Sequence, residues 1–202
     1  MPIFKGSPYG EQGTLPADGV VVHSDAEARA VIERARQEGR PCPPLGLLGG
    51  DLCRTLGGPG DEARLRSPDA VRFPVDLGEV LLDGRLHVFV AHLVARTRGW
   101  GHVVAAMNAQ FVGSWVLGPR AHPNDGLLDV YQADLSIPQR LQVRSRVRHG
   151  AHLPHPGIKE RRTAAMQIEL PSPRSVHLDG EAIGEACNLA LRVEPDALTV
   201  FV

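Results

Sequence analysis

From about residue 69 onward, apolar and polar positions alternate with the two-residue period of half-buried strands. Val71, Phe73, Val75 and Leu77 set the pattern. Val80 to Leu82 and Leu86 to Val94 flank Asp83-Gly84, a strong hairpin signal, because the tight turn needs residues that tolerate positive φ. Further strands are expected over 102–106, 127–131, 164–170, 175–178, 189–193 and 197–202. Helical spacing is confined to short stretches. Ser24-Asp25-Ala26-Glu27 has the capping-box pattern, and Ala28, Val31, Ile32 and Ala35 follow at helical intervals until Gly39 and Pro41 stop them. Gly19 to Val22 and Leu45 to Leu48 read as short strands around that helix, and Asp51 to Leu56 as a second helix. Ser136-Ile137-Pro138 opens another, running to about His149 with Leu141 and Val147 expected inward.

These elements predict an α+β protein, mainly an antiparallel β-sandwich, with a small α/β strand-helix-strand remnant at the N-terminus. The expected divisions are an extended lead-in over residues 1–18, the remnant over 19–60 and the sandwich over 61–202, which is expected to be the stable unit. The 22 glycines and 17 prolines suit many strands joined by turns. A net charge of −1 gives no field favouring nucleic acid. No apolar run approaches the roughly 20 residues of a membrane span, and the N-terminus lacks a signal-peptide pattern. Cys42, Cys53 and Cys187 form no CxxC, so a reducing cytoplasm is the simpler expectation.

Candidate chemistry lies in two short segments. Residues 122–130 read His-Pro-Asn-Asp-Gly-Leu-Leu-Asp-Val, and 177–181 read His-Leu-Asp-Gly-Glu. Each places carboxylates at a turn, where metal binding or proton abstraction requires them, although Asp-Gly is also a common hairpin turn. In this order, with Asn108 and Gly113-Ser114-Trp115 before them, they resemble the diacylglycerol kinase and bacterial lipid kinase family, which includes sphingosine kinases. Leu45-Gly46-Leu47-Leu48-Gly49-Gly50-Asp51 through Gly57 is similar to a shortened form of that family's PLGTGNDFARxLG. The resemblance runs from about residue 19 to the end.

It implies ATP- and Mg²⁺-dependent phosphorylation of a lipid hydroxyl. Glu181 matches the catalytic base, with Asp179 orienting it or setting the turn. Asp125 matches a magnesium-site residue, with backbone carbonyls near His122 and Leu127 completing it. Gly49, Gly50 and Asp51 match a nucleotide element, although Asp51 also reads as a helix cap, and Asn108 and Gly113 fall by the substrate cleft. If this holds, Asp125, Asp179 and Glu181 converge on one cleft.

The nucleotide side departs from the family. Where relatives carry a GGDGT loop whose backbone N–H groups hold phosphates, this chain reads His23-Ser24-Asp25-Ala26-Glu27. Ser24 is expected to occupy a free helix N–H, and Asp25 and Glu27 favour the helix while opposing a triphosphate. Three readings follow: an active lipid kinase, a non-catalytic module that binds a lipid or a partner, or half of a split kinase completed by another chain or a second copy. His149, His152 and His155 recur every third residue, but Pro154 and Pro156 interrupt them, and no zinc is expected. Arg140, Arg144 and Arg148, with Lys159, Arg161 and Arg162 nearby, form a basic group that is either a solvated face or a contact for anionic headgroups at a membrane surface.

Overall fold

The computed structural model describes residues 9–202. In chain order the elements are β1 (Glu11–Gln12), β2 (Val20–Val22), α1 (Asp25–Gln37), β3 (Leu45–Leu47), α2 (Gly50–Thr55), α3 (Glu62–Leu65), β4 (Val71–Leu82), β5 (Arg85–Phe89), β6 (His92–Arg96), β7 (His102–Met107), β8 (Phe111–Val112), β9 (Trp115–Val116), β10 (Leu128–Asp134), α4 (Ile137–Val147), β11 (Ile158–Thr163), β12 (Ala165–Leu178) and β13 (Glu181–Phe201). Eleven strands form one sheet in the order β1-β4-β13-β12-β6-β7-β10-β11, with β5 beside β4 and β3 joining β2 to β13. The pairings β2–β3 and β3–β13 are parallel, and the long β4–β13 and β12–β13 pairings are antiparallel. No helix among the described residues is long and apolar enough to cross a membrane.

The sheet folds over itself because alternate residues of its strands meet in one core. Val80, Phe89, Leu93, Val104, Leu128, Leu178 and Leu189 pack there, drawn from seven strands. Gly78 is required at the tightest point, since a Cβ on it would lie 2.3 Å from the Phe89 ring.

A second core joins the N-terminal segment to the sheet. Val22, Ile32, Leu45, Leu47 and Leu52 pack with Phe73, Val75, Leu198 and Val200. Segment 19–60 therefore shares its core with β4 and β13, and α1 is further tied down by Arg36 Nη1, which donates to the buried Glu79 at 2.6 Å. Residues 1–8 of the expected lead-in lie outside the described residues. In the rest of it, Glu11 pairs with Arg72, and Leu15 is buried against Leu65 and Phe201.

Several elements differ from the sequence expectation. It does not include α3, β8, β9 or β11; the strands expected over 164–170 and 175–178 are one, β12, and those over 189–193 and 197–202 belong to one, β13. The single strand expected over 86–94 is two: β5 pairs with β4, whereas β6 lies between β12 and β7. The chain bends at Val90 and Ala91 to cross between layers, so His87 and His92 sit on different strands. Along α4, Val147 is buried as expected but Leu141 is 66% exposed.

Candidate functional site

The β12–β13 hairpin turns on Asp179-Gly180, with Leu178 paired to Glu181 and φ of 52° and 86° at the two turn residues. Both values are left-handed, as a type I′ turn requires. This aims the Asp179 carboxylate inward at the bend before β6. It accepts from the backbone N–H groups of Val90 (3.0 Å), Ala91 (2.8 Å) and His92 (3.2 Å), three donors the broken strand leaves without ladder partners. Complete burial raises the Asp179 pKa, against the pull of His92 and the three N–H groups. Arg29, from the inward face of α1, lies 3.7 Å from Asp179 and donates to Glu181 at 2.5 Å. Asp179 and Glu181 are thus brought together, with Arg29 between them.

Asp25 stands at the opposite side of this group. From the first turn of α1 its carboxylate reaches the start of α2 and accepts from the N–H groups of Asp51 (2.5 Å) and Leu52 (3.1 Å). Gly50 lets it approach: at φ 93°, a Cβ there would fall 2.5 Å from the Asp25 oxygen. Burial, and then the charge of Asp179, push the Asp25 pKa up to about 7. Asp51 is therefore not the cap expected for α2. Its carboxylate instead accepts from Gly113 N at 2.9 Å and meets His92 Nε2 at 3.0 Å. Burial alone would lower the His92 pKa, but the Asp51 hydrogen bond and the charges of Asp179, Asp51 and Asp25 raise it. The residues that would hold a triphosphate, Gly49, Gly50 and Asp51, face a carboxylate already seated on the first free amides of α2. They do not fit that group.

Asp125 belongs to an adjoining cluster. One oxygen accepts from Leu127 N at 3.0 Å and the other from Arg162, which also donates to Asp129 at 2.8 Å. His122 Nδ1 accepts from Asn124 N at 3.2 Å. Buried Asp76 accepts from Gly126 N at 2.7 Å and Asp196 N at 2.9 Å. With both Asp125 oxygens engaged and a guanidinium supplying the positive charge, these residues do not fit a resident Mg²⁺. Among the described residues, no group of three or more His, Cys, Asp or Glu is arranged to hold a metal ion. Asn108 is fully buried and donates to the carbonyls of Asp76 and Val90, both at 2.8 Å, so it braces the two clusters against each other.

A cavity of about 300 Å³ opens beneath α4, with Trp115 of the β8–β9 hairpin in its wall. Its walls are almost wholly apolar, with Trp100, Trp115, Val103, Tyr131, Leu135 and Val147 prominent. The two tryptophan rings meet edge-on at 5.1 Å. Ile137 and Leu141 line its rim while 68% and 66% exposed. Arg140 donates to the carbonyls of Leu135 (2.9 Å) and Gly99 (3.0 Å), holding α4 over the opening. The hairpin connects this cavity to the carboxylates, since Gly113 bonds Asp51 and Trp115 forms a wall. Asn108 and Gly113 themselves serve as brace and turn.

Sequence reasoning missed Arg29, His92 and the cavity. Arg29 had a signal, because it falls on the same helical face as Asp25, Ala28 and Ile32. The cavity had none, since its walls are assembled from α4, separate strands and the segments between them.

No curated protein matches the chain. Two structures of a candidate diacylglycerol kinase from Bacillus anthracis str. Sterne share its fold, with TM-scores of 0.68 and 0.65 at 16% and 14% identity; each alignment covers 91% of this chain and 77% of the other. A structure of a diacylglycerol kinase from the same organism aligns with TM-score 0.63 and 17% identity, over 91% of this chain and 75% of its own. Residues 79–202 match the YegS C-terminal NAD kinase beta sandwich-like domain, and the chain belongs to that family.

Proposed function

We propose that this chain binds a lipid, seating an acyl chain in the cavity under α4, and that by itself it does not hold MgATP. The apolar cavity carries the reading. Its size falls at the lower end of small-molecule sites, roughly 300–1,000 Å³, and such sites are mostly apolar with a few polar groups. The similarity to proteins described as diacylglycerol kinases makes a lipid the fitting class of ligand. At the rim, exposed Ile137 and Leu141 beside Arg144, Arg146 and Arg148 suit an anionic bilayer from which the lipid would enter.

The nucleotide side supports the second half. A phosphate at the start of α2 would have to displace Asp25 or stand against it. Above about pH 7 Asp25 is charged, and two unit charges about 4 Å apart near a protein surface repel by roughly 4 kcal/mol at an effective dielectric of 20. Below it the carboxyl group still occupies the Asp51 and Leu52 amides. In this reading Asp179 holds the bend before β6, and buried Arg29 pairs beside it with the exposed Glu181.

The test uses the chain's own fluorophores. Its two tryptophans, Trp100 and Trp115, both line the cavity. Titrating dioctanoylglycerol should change their emission saturably, and Ala133→Phe, which fills the cavity, should weaken binding at least about tenfold. No change in emission with the wild-type chain would contradict the proposal.

A further inference from the structure

We propose that the ligand of the cavity under α4 is a single-chain carboxylic acid, held as its anion by Arg140 and Arg144. This rests on the cavity being a lipid site and adds the class of lipid. Among the described residues that line the cavity, the charged ones are Arg140 and Arg144, both cations. Burial lowers the pKa of the neighbouring His152 and keeps that ring neutral. Ile137, Arg140, Leu141 and Arg144 fall at i, i+3, i+4 and i+7 of α4, on one face of the helix, and all four border the cavity. That face offers apolar contact to a hydrocarbon chain and positive charge to its head. A volume of about 300 Å³, at the small end of ligand sites, suits one chain.

Neither guanidinium has a carboxylate partner among the described residues. Arg140 is set in place by the Leu135 and Gly99 carbonyls, through Nε and Nη1, which leaves donors over. Arg144 is exposed, one turn further on. Like charges one turn apart destabilise a helix, so an anion between the two removes a repulsion and gains charge-assisted hydrogen bonds. A carboxylate has two oxygens, one for each guanidinium. The β10 wall carries the opposite field. Burial, and then the charges of Asp129 and Glu160, raise the pKa of Tyr131 there. An acid head is therefore drawn to α4 with its chain along the apolar wall, and an ammonium head is repelled from α4.

Dodecanoate and dodecyltrimethylammonium share a chain and carry opposite heads. Tryptophan emission of the full chain, at about pH 8 where a carboxyl group is ionised, should show dodecanoate binding at least about tenfold more tightly. In Arg144→Gln that ratio should fall about fivefold, the size of one exposed ion pair. In Arg144→Glu, which balances Arg140, the preference should disappear. Equal binding of the two amphiphiles by the wild-type chain, binding of neither while dioctanoylglycerol still binds, or a ratio that Arg144→Glu leaves unchanged would overturn the proposal; the lipid reading would stand. If neither amphiphile nor dioctanoylglycerol alters emission, the lipid reading of the cavity falls and this proposal with it. Should a variant not fold, the other variant and the wild-type ratio still decide.

Discussion

Asp25 shows how one residue can join two helices. The resemblance to lipid kinases would put a phosphate loop at this segment, and here the Asp25 carboxylate takes the Asp51 and Leu52 amides in the first turn of α2. The sequence made the charge legible at that place, but not its partner, because Asp51 reads equally well as its own helix cap. Arg29 and His92 escaped for a similar reason: their roles depend on Glu181, Asp179 and Asp51, which lie far off in sequence. The raised Asp25 pKa has a definite sign. The folded chain keeps that proton up to about pH 7, whereas the unfolded chain releases it near 3.8. Stability from this group is therefore greatest below about 3.8, falls as pH rises to about 7, and then levels off. Thermal melts of wild type and Asp25→Asn across pH 4 to 8 should differ by that decline; parallel curves would contradict it. Asp179→Ala should lose about 3–5 kcal/mol of stability in denaturant melts, since it strands three N–H groups and the adjacent Arg29. Glu181→Gln, at an exposed position away from the cavity, should change lipid affinity less than about twofold.

At the scale of elements, the strands and helix starts were legible wherever local chemistry decides them. The Asp83-Gly84 and Asp179-Gly180 turns and the Ser24 cap all form as residue type requires. The bend between β5 and β6 was not legible, because Leu86 to Val94 is apolar enough to read as one strand and only Asp179 reveals where the ladder ends. Nor was the inward face of α4. Leu141 and Val147 are six residues apart, which at about 100° per residue puts them roughly 120° apart around the helix. Val147 faces the core, so Leu141 is left at the rim. Two predictions belong here. Arg146→Ala with Arg148→Ala should reduce sedimentation with phosphatidylglycerol vesicles by about 2 kcal/mol, roughly 30-fold, because each basic residue near an anionic surface contributes about 1 kcal/mol. Unchanged sedimentation would remove α4 as the membrane-facing element. Gly78→Ala should destabilise the fold by about 1–3 kcal/mol, since the added methyl meets the Phe89 ring.

For the whole molecule, the α+β class and the family were legible from strand periodicity and from motif order. The packing of residues 19–60 onto the sheet was not, because a core shared by Ile32, Leu45 and Leu52 with Phe73, Val75 and Val200 leaves no mark in local pattern. Residues 61–202 alone would expose that face, and each stripped side chain costs roughly 1.5–3 kcal/mol. The molecule that results keeps an apolar cavity under α4 and seats the Asp25 carboxylate on amides at the start of α2. The direct test is calorimetric titration of MgATP into the full chain saturated with dioctanoylglycerol. The account predicts no binding heat and no phosphorylated lipid up to millimolar nucleotide; micromolar affinity, or phosphoryl transfer to the lipid, would contradict it.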